Sequence, residues 1–297
     1  MDRKTATILL AALLAVTAAP ALASFENLSV SPRARAMGET GVAVPDAAFG
    51  GFLNPAGLVE TPGAGSVALS YTQPFGLDFS RLYVLGAAQR LPGPLGYAGF
   101  GFRQFKVEYE NTDLLKESTF TFAHGIYLYQ DLHSSVSFGY GLNVYRLEFG
   151  QTISGLDPGS ATAVGVDAAL LAVLHDRTRL GILVRNLNVP KIGKDEEEIP
   201  QRLHMGAAYE PYSGVITTCE VQVTQHDPVQ WRGGIEIEVV TGFCLRAGVM
   251  TEPSKLGAGF GYAFRGMALD YGFATGGGVL DSTHQFGLRA TWGGEAK

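Results

Sequence analysis

The stretch Val215-Ile216-Thr217-Thr218-Cys219-Glu220-Val221-Gln222-Val223-Thr224 decides the fold. Val215, Thr217, Cys219, Val221 and Val223 share one parity, and Thr218, Glu220, Gln222 and Thr224 share the other. Successive side chains of a strand point to opposite faces, so the segment has one largely apolar wall and one polar wall. Trp231–Val240 repeats the pattern, with Ile235, Ile237 and Val239 against Gly234, Glu236 and Glu238. So do Phe243–Met250 and Thr283–Trp292, the last setting Phe286, Leu288, Ala290 and Trp292 against Gln285, Gly287, Arg289 and Thr291.

A soluble sandwich also alternates, with its apolar face turned inward. What separates the two architectures is the content of the other face. Here it is dominated by Gly, Ser, Thr and isolated charges, as in Ser137, Gly139, Gly141 and Asn143 opposite Val136, Phe138, Tyr140, Leu142 and Val144. Small and polar residues suit a narrow lumen, and the apolar wall suits lipid. The expected fold is therefore all-β, a transmembrane antiparallel β-barrel. Counting alternating segments gives about 14 strands, an even number as bacterial single-chain barrels require. They run near Val67–Gln73, Ser80–Gln89, Leu95–Phe105, Thr119–Tyr129, Ser135–Tyr145, Thr162–Leu174, Leu180–Leu187, Arg202–Tyr209, Val215–Thr224, Trp231–Val240, Phe243–Met250, Leu256–Phe264, Met267–Phe273 and Thr283–Trp292. Tyr127, Tyr129, Tyr145, Phe149, Tyr209, Tyr212, Phe264, Tyr271 and Trp292 fall near strand ends, where interfacial aromatic girdles sit. Glu108–Lys116, Gly150–Ser160 and Asn188–Gln201 read as long loops, the last with the acidic run Asp195-Glu196-Glu197-Glu198.

Composition agrees with this reading. Glycine reaches 39 of 297 residues, about twice the usual share, while charged residues are only 17%, which argues against disorder. Two cysteines do not make a disulfide framework. Cys219 and Cys244 have opposite parity with a whole strand between them, so they read as lone packing cysteines.

The first residues are of another kind. Asp2, Arg3 and Lys4 precede an apolar run from Ala6 to Ala18, and Ala21-Leu22-Ala23 stands before Ser24. That is the pattern of a secretory signal, residues 1–23, cut after Ala23. Thr17, Pro20 and the missing basic flank argue against a retained membrane helix. Cleavage removes two bases and one acid, leaving 20 bases and 27 acids and moving the formal charge from -6 to -7. A mildly acidic chain does not read as a nucleic-acid binder.

Residues 24–65 do not alternate and are expected to form an N-terminal plug, followed by the barrel over 66–292 and a short tail over 293–297. The plug contains Arg35-Ala36-Met37-Gly38-Glu39-Thr40-Gly41-Val42-Ala43-Val44, then Asp46-Ala47-Ala48, then Asn54-Pro55-Ala56-Gly57-Leu58. These residues resemble the plug of the FadL-type outer-membrane transporters, and more closely that of the PorV/PorQ-like family. The resemblance continues through Leu203–Tyr209, Leu245–Gly248, Leu256–Tyr262, Leu269–Phe273 and His284–Leu288, so it spans essentially the mature chain. It implies a barrel of fourteen strands with an internal hatch, in the bacterial outer membrane. It further implies either passage of hydrophobic small molecules or an accessory role holding secretion-system or cargo proteins. Such a barrel would meet outer-membrane lipid and, during biogenesis, the barrel-assembly machinery. One departure stands out: family barrels finish on a terminal aromatic, whereas Trp292 is followed by Gly293-Gly294-Glu295-Ala296-Lys297.

Asn54, Pro55, Ala56 and Gly57 are the candidate hatch residues. Pro55 fixes its own φ and pushes Asn54 away from helix, the Asn side chain bonds nearby backbone, and Gly57 permits a tight reversal. A structural anchor is favoured over direct ligand contact. By alternation the lumen-facing charges are Asp167, Arg185, Arg202, His204, Glu220, Glu236, Glu238, Arg246, Asp270 and Arg289. Glu236 and Glu238 lie about 7 Å apart on one face, a spacing two catalytic carboxylates use. A ladder of mutual counter-ions in a narrow barrel explains the same residues better. The sequence contains no nucleophile motif, zinc spacing or phosphate-binding loop, so neither an enzyme nor a cofactor is expected.

Overall fold

A computed structural model describes residues 25, 28–44, 46–110, 112–150, 159–225, 227–276 and 281–293. The expected signal segment, most of Gly150–Ser160 and residues 294–297 lie outside the described residues. The strands are β1 (Gly65–Gln73), β2 (Ser80–Arg90), β3 (Tyr97–Tyr109), β4 (Thr112–Gln130), β5 (Ser135–Phe149), β6 (Ser160–Leu174), β7 (Thr178–Arg185), β8 (Lys191–Ile192) and β9 (Glu197–Glu198). They continue as β10 (Arg202–Tyr212), β11 (Val215–Thr224), β12 (Gln230–Val240), β13 (Phe243–Met250), β14 (Lys255–Phe264), β15 (Met267–Ala274) and β16 (Thr283–Trp292). Fourteen of them form one closed antiparallel barrel, each bonded to its neighbour in sequence, while β8 and β9 pair separately as a small hairpin between β7 and β10.

Closure is made by β1, which pairs on one edge with β2 and on the other with β16, placing Leu69 opposite both Leu85 and Leu288. No strand edge is left in the closed ring, which is the condition for a sheet to stand in hydrocarbon. The polarity is that of a membrane barrel. Leu69 and Leu288 are each 57% exposed, whereas Leu171 and Leu183 on the inner face are 1% exposed. The core lies inside the barrel, between the wall and the N-terminal segment, where Phe49, Phe52, Leu82 and Val84 form one cluster and Val42, Ala56, Leu171 and Leu183 another.

Turns on one rim are short, such as Ser213-Gly214 and Thr241-Gly242, and the opposite rim carries the longer connections, including the one over 186–201. In outer-membrane barrels the short turns face the periplasm, so the β8–β9 rim is the outer one. The acidic run meets Lys191 there, with Nζ 3.5 Å from Glu196 and 3.8 Å from Glu198. Behind it Ile192 and Ile199 turn inward onto Phe25, Tyr145 and Leu147, so part of this loop closes over the barrel mouth.

Two expectations need correction. Glu108–Lys116 is not a long loop: β3 runs to Tyr109 and β4 resumes at Thr112. Lys106 holds Glu108 at 2.8 Å and Asp113 at 2.7 Å, so its charges pair across the ladder instead of breaking it. β4 has 19 residues against the roughly 9–11 that cross a bilayer, so this end projects outward. Tyr145 is not a girdle residue either. It faces the lumen, 6% exposed, and its hydroxyl donates to Asn186 Oδ1 at 2.8 Å. Tyr127 likewise turns inward, donating to the Val59 carbonyl at 3.1 Å, whereas Tyr129, Tyr209, Tyr212, Phe264 and Trp292 are exposed.

Candidate functional site: the plug and its seat

The plug is built from short turns, because its sequence has neither period. Helix α1 (Pro32–Ala36) starts with Ser31 as N-cap and proline at its first position, where the missing N–H costs nothing. A 3-10 turn over Ala47–Phe49 leads into α2 (Gly50–Leu53), and a second 3-10 turn covers Pro55–Glu60.

Asn54 joins these pieces. It is fully buried, its Nδ2 donates to the Val42 carbonyl at 2.6 Å, and its Oδ1 accepts from the Ala56 amide at 2.9 Å. One side chain thus ties two plug segments twelve residues apart and caps the turn that Pro55 begins. Ala56 then meets the wall, its carbonyl accepting from Ser137 Oγ at 2.9 Å. The reversal expected at Gly57 is made differently. Gly57 lies within the 3-10 turn without a positive φ, because the Asn54 cap and Pro55 already set the direction.

The inward-facing glycines have a shared role. A methyl group added to Gly139 would overlap the Ala56 amide, one on Gly181 the Val42 carbonyl, and one on Gly86 the Ala48 carbonyl. Around the other half of the wall, Gly248 faces Met37 and Gly38, and Gly272 faces Pro32. The plug backbone therefore lies directly on the sheet, and a β-carbon at these positions would displace it. Part of the high glycine content is thus a fitted seat.

Charged side chains fasten the plug at two places. Arg33 of α1 grips Glu236 of β12 with two bonds, Nε at 2.8 Å and Nη2 at 2.7 Å. Arg246 Nε donates to the same carboxylate at 2.5 Å and its Nη1 to Asp270 at 2.6 Å. Arg289 reaches Asp46 of the plug at 3.2 Å and lies 3.9 Å from Asp270, and Ser31 Oγ donates to Asp46. Arg33, Arg246 and Arg289 balance Glu236, Asp270 and Asp46, so the network is neutral, as a buried charge cluster needs to be. At the second place Glu220 of β11 accepts from the Gly41 and Val42 amides at 2.9 and 3.1 Å, and from His204 Nδ1 at 2.9 Å. Arg232 lies 3.6 Å from Glu220 and donates to the Glu39 carbonyl at 3.0 Å.

Of the charges expected in the lumen, Glu236, Arg246, Asp270 and Arg289 thus come together in one network. Asp167, Arg185 and Arg202 form a separate group toward the outer rim, where Asn143 Nδ2 and the Asn186 amide occupy the two oxygens of Asp167 at 2.8 and 2.9 Å. Glu238 does not join either group. It is exposed at the periplasmic rim, where the register shifts, and accepts from the Gly242 amide at 2.8 Å. Glu236 and Glu238 therefore do not act as a pair, because the first is held by two arginines and the second closes a turn. Arg33, Asp46 and Arg232 escaped the sequence reading. Arg232 shares the parity of Glu236 and was there to be found, whereas Arg33 and Asp46 sit in aperiodic sequence.

The plug divides the lumen into two vestibules. The outer, about 740 Å³, is lined by Leu28, Arg35, Phe75, Pro200, Arg202 and Met250 among others. The inner, about 620 Å³, is lined by Ala47, Glu60, Arg179, Phe264, Met267 and Arg289 among others.

A closed fourteen-stranded barrel with a lipid-facing apolar wall and an internal plug defines the class: a plugged barrel of the outer-membrane type. The chain is similar to the CymD monoaromatic hydrocarbon channel with a TM-score of 0.65 at 13% identity, covering 92% of this chain and 100% of that one. It is similar to the Pseudomonas putida toluene transporter TodX with a TM-score of 0.58 at 14% identity, covering 90% and 98%. A Pseudomonas aeruginosa FadL homologue gives 0.55 at 12% identity, covering 91% and 100%. No family model matches the chain. No curated protein matches it either.

Proposed function

We propose that this protein is a plugged outer-membrane channel that admits hydrophobic small molecules. The observation that carries the reading is the pair of vestibules on opposite sides of one seated plug, in a barrel shaped like channels described for toluene and monoaromatic hydrocarbons. The ligand would gather in the outer vestibule against Leu28, Phe75 and Met250, and pass when plug and wall part. The neighbours are described as channels and transporters, which supports a non-enzymatic role. The test is entry of radiolabelled toluene and decane into proteoliposomes carrying the purified barrel. Rates equal to those of protein-free liposomes for both compounds would sink the reading.

The tightness of the plug supports a second reading. A barrel whose plug is fixed by glycine contacts and two charged networks serves well as a closed platform, in line with the PorV/PorQ-like resemblance of residues 35–58. On that reading it holds secretion-system or cargo proteins at the outer membrane. Cross-linking in native membranes that recovers only the barrel-assembly machinery would count against it.

A further inference from the structure

The second fastening of the plug contains a group whose charge depends on acidity. His204 of β10 and Glu220 of β11 are both buried, and His204 Nδ1 donates to Glu220 Oε1 at 2.9 Å. Glu220 Oε2 accepts from the Gly41 and Val42 amides of the plug, so both carboxylate oxygens act as acceptors. This bonding fixes the imidazole: its proton sits on Nδ1, and Nε2 carries a bare lone pair. Nε2 is buried without a hydrogen-bond partner.

A second proton would have to enter at Nε2. The charged groups that share a cavity of about 30 Å³ with His204 are Glu220 of β11, Arg185 of β7, Arg232 of β12 and Glu39 of the plug. Glu220 already serves Nδ1 and lies 3.6 Å from Arg232, and Glu39 is engaged by Arg35 at 3.6 Å. Arg185 Nε and Arg232 Nε are themselves buried without partners. The surroundings therefore supply further cations where an imidazolium N–H needs an acceptor, and a buried charge left unsatisfied is costly.

The plug makes the other side of this cavity, through Leu28, Val30, Ala34, Gly41, Val42 and Leu53. When it lifts, lumen water reaches Nε2, and Glu220 loses the two amides of Gly41 and Val42. An imidazolium then has water on one nitrogen and, on the other, a carboxylate that has lost plug partners. The seated plug excludes a proton that the released plug admits.

We propose that His204 is a proton-operated release for the plug, neutral beneath the seated plug and charged once the plug lifts. Seating is at full strength above the ordinary imidazole value of about 6.5 and weakens as pH falls below it. At pH 5 the released state gains about thirtyfold, the ratio of charged to neutral imidazole in water at that pH. The inference concerns seating alone, so it holds for a channel and for a closed platform alike.

The test is amide hydrogen exchange over residues 39–44 of the full-length folded barrel in uncharged maltoside micelles, between pH 7.5 and 5.0. Protection is referenced to the unfolded chain at each pH, and the range stops above the ordinary carboxylate values of about 4. Protection should fall about thirtyfold in the unmutated protein while β4 and β5 stay protected. It should stay level in His204→Gln, whose amide still donates to Glu220 but takes no proton. Ring nitrogen NMR of the unmutated protein supplies a readout that needs no variant: at pH 5.0 the seated form should carry a proton on Nδ1 alone. A doubly protonated ring beneath a seated plug, protection that does not change with pH, or an equal fall in His204→Gln each overturn the proposal.

Discussion

Replacing Glu236 by Gln isolates the energetics of plug seating. The amide keeps the volume of the side chain but removes the charge that Arg33 and Arg246 share at 2.7 and 2.5 Å. Arg246 retains Asp270 at 2.6 Å, so the wall keeps one of its pairs. Arg33 loses the carboxylate it grips and stays on the plug, 14% exposed, facing Arg246 across the gap. Removing one partner of a buried ion pair costs about 3–5 kcal/mol, because the remaining charge is left uncompensated. The partial exposure of Arg33 puts this case toward the lower end. At about 3 kcal/mol the ratio of seated to unseated plug falls roughly a hundredfold, since 1.4 kcal/mol is a factor of ten. Barrel closure, carried by the wall's own hydrogen bonds, should be unchanged. The assay is amide hydrogen exchange of the plug compared with β4 and β5, alongside single-channel recordings. Exchange over residues 33–42 should rise by about two orders of magnitude while the strands stay protected, and brief openings should become frequent. Equal plug exchange in both proteins would refute the idea that this network holds the plug. A compensating Arg33→Gln, Glu236→Gln double variant should recover part of the loss, which separates the pair from either residue alone.

Four further outcomes follow from the same geometry. Gly139→Val should unseat the Ala56 turn and raise exchange across residues 54–60, while Gly233→Ala, where an added methyl stays 3.7 Å from its neighbours, should leave it unchanged. Asn54→Ala leaves the Val42 carbonyl and the Ala56 amide buried without their partner, at about 1–3 kcal/mol each, and thermal release of the plug should shift accordingly. In the periplasmic turn, amides of His133 and Ser134 and the Tyr129 hydroxyl hold the Asp131 carboxyl below its ordinary pKa. The contribution of this turn is therefore full above the ordinary aspartate value and is lost as pH falls through the lowered one, which an NMR titration of Asp131 reads directly. Trp231 and Trp292 sit exposed at opposite ends of the barrel, so quenchers at the lipid headgroup should dim both more than quenchers at the acyl-chain end.

The sequence by itself determined the strands, because period two is a local property that each segment carries alone. Val215–Thr224, Phe243–Met250 and Thr283–Trp292 coincide with β11, β13 and β16 residue for residue. It determined which side chains face the lumen, since parity follows from register, and so placed Asp167, Glu236, Arg246 and Asp270 on the inner face. Where charge crowded a strand end, as at Glu108–Lys116, local reading failed, because the ion pairs that continue the ladder lie across strands and not along one. The tertiary structure alone decided what stands opposite each inward residue. Arg33 meets Glu236 across 203 positions of sequence, and Gly139 and Gly181 are small because plug backbone, not water, lies against them. Alternation reports a face, but the occupant of a closed lumen depends on how an aperiodic segment folds back into it. That step is set by the sum of caps, glycine contacts and buried charge pairs, none of which has a sequence period.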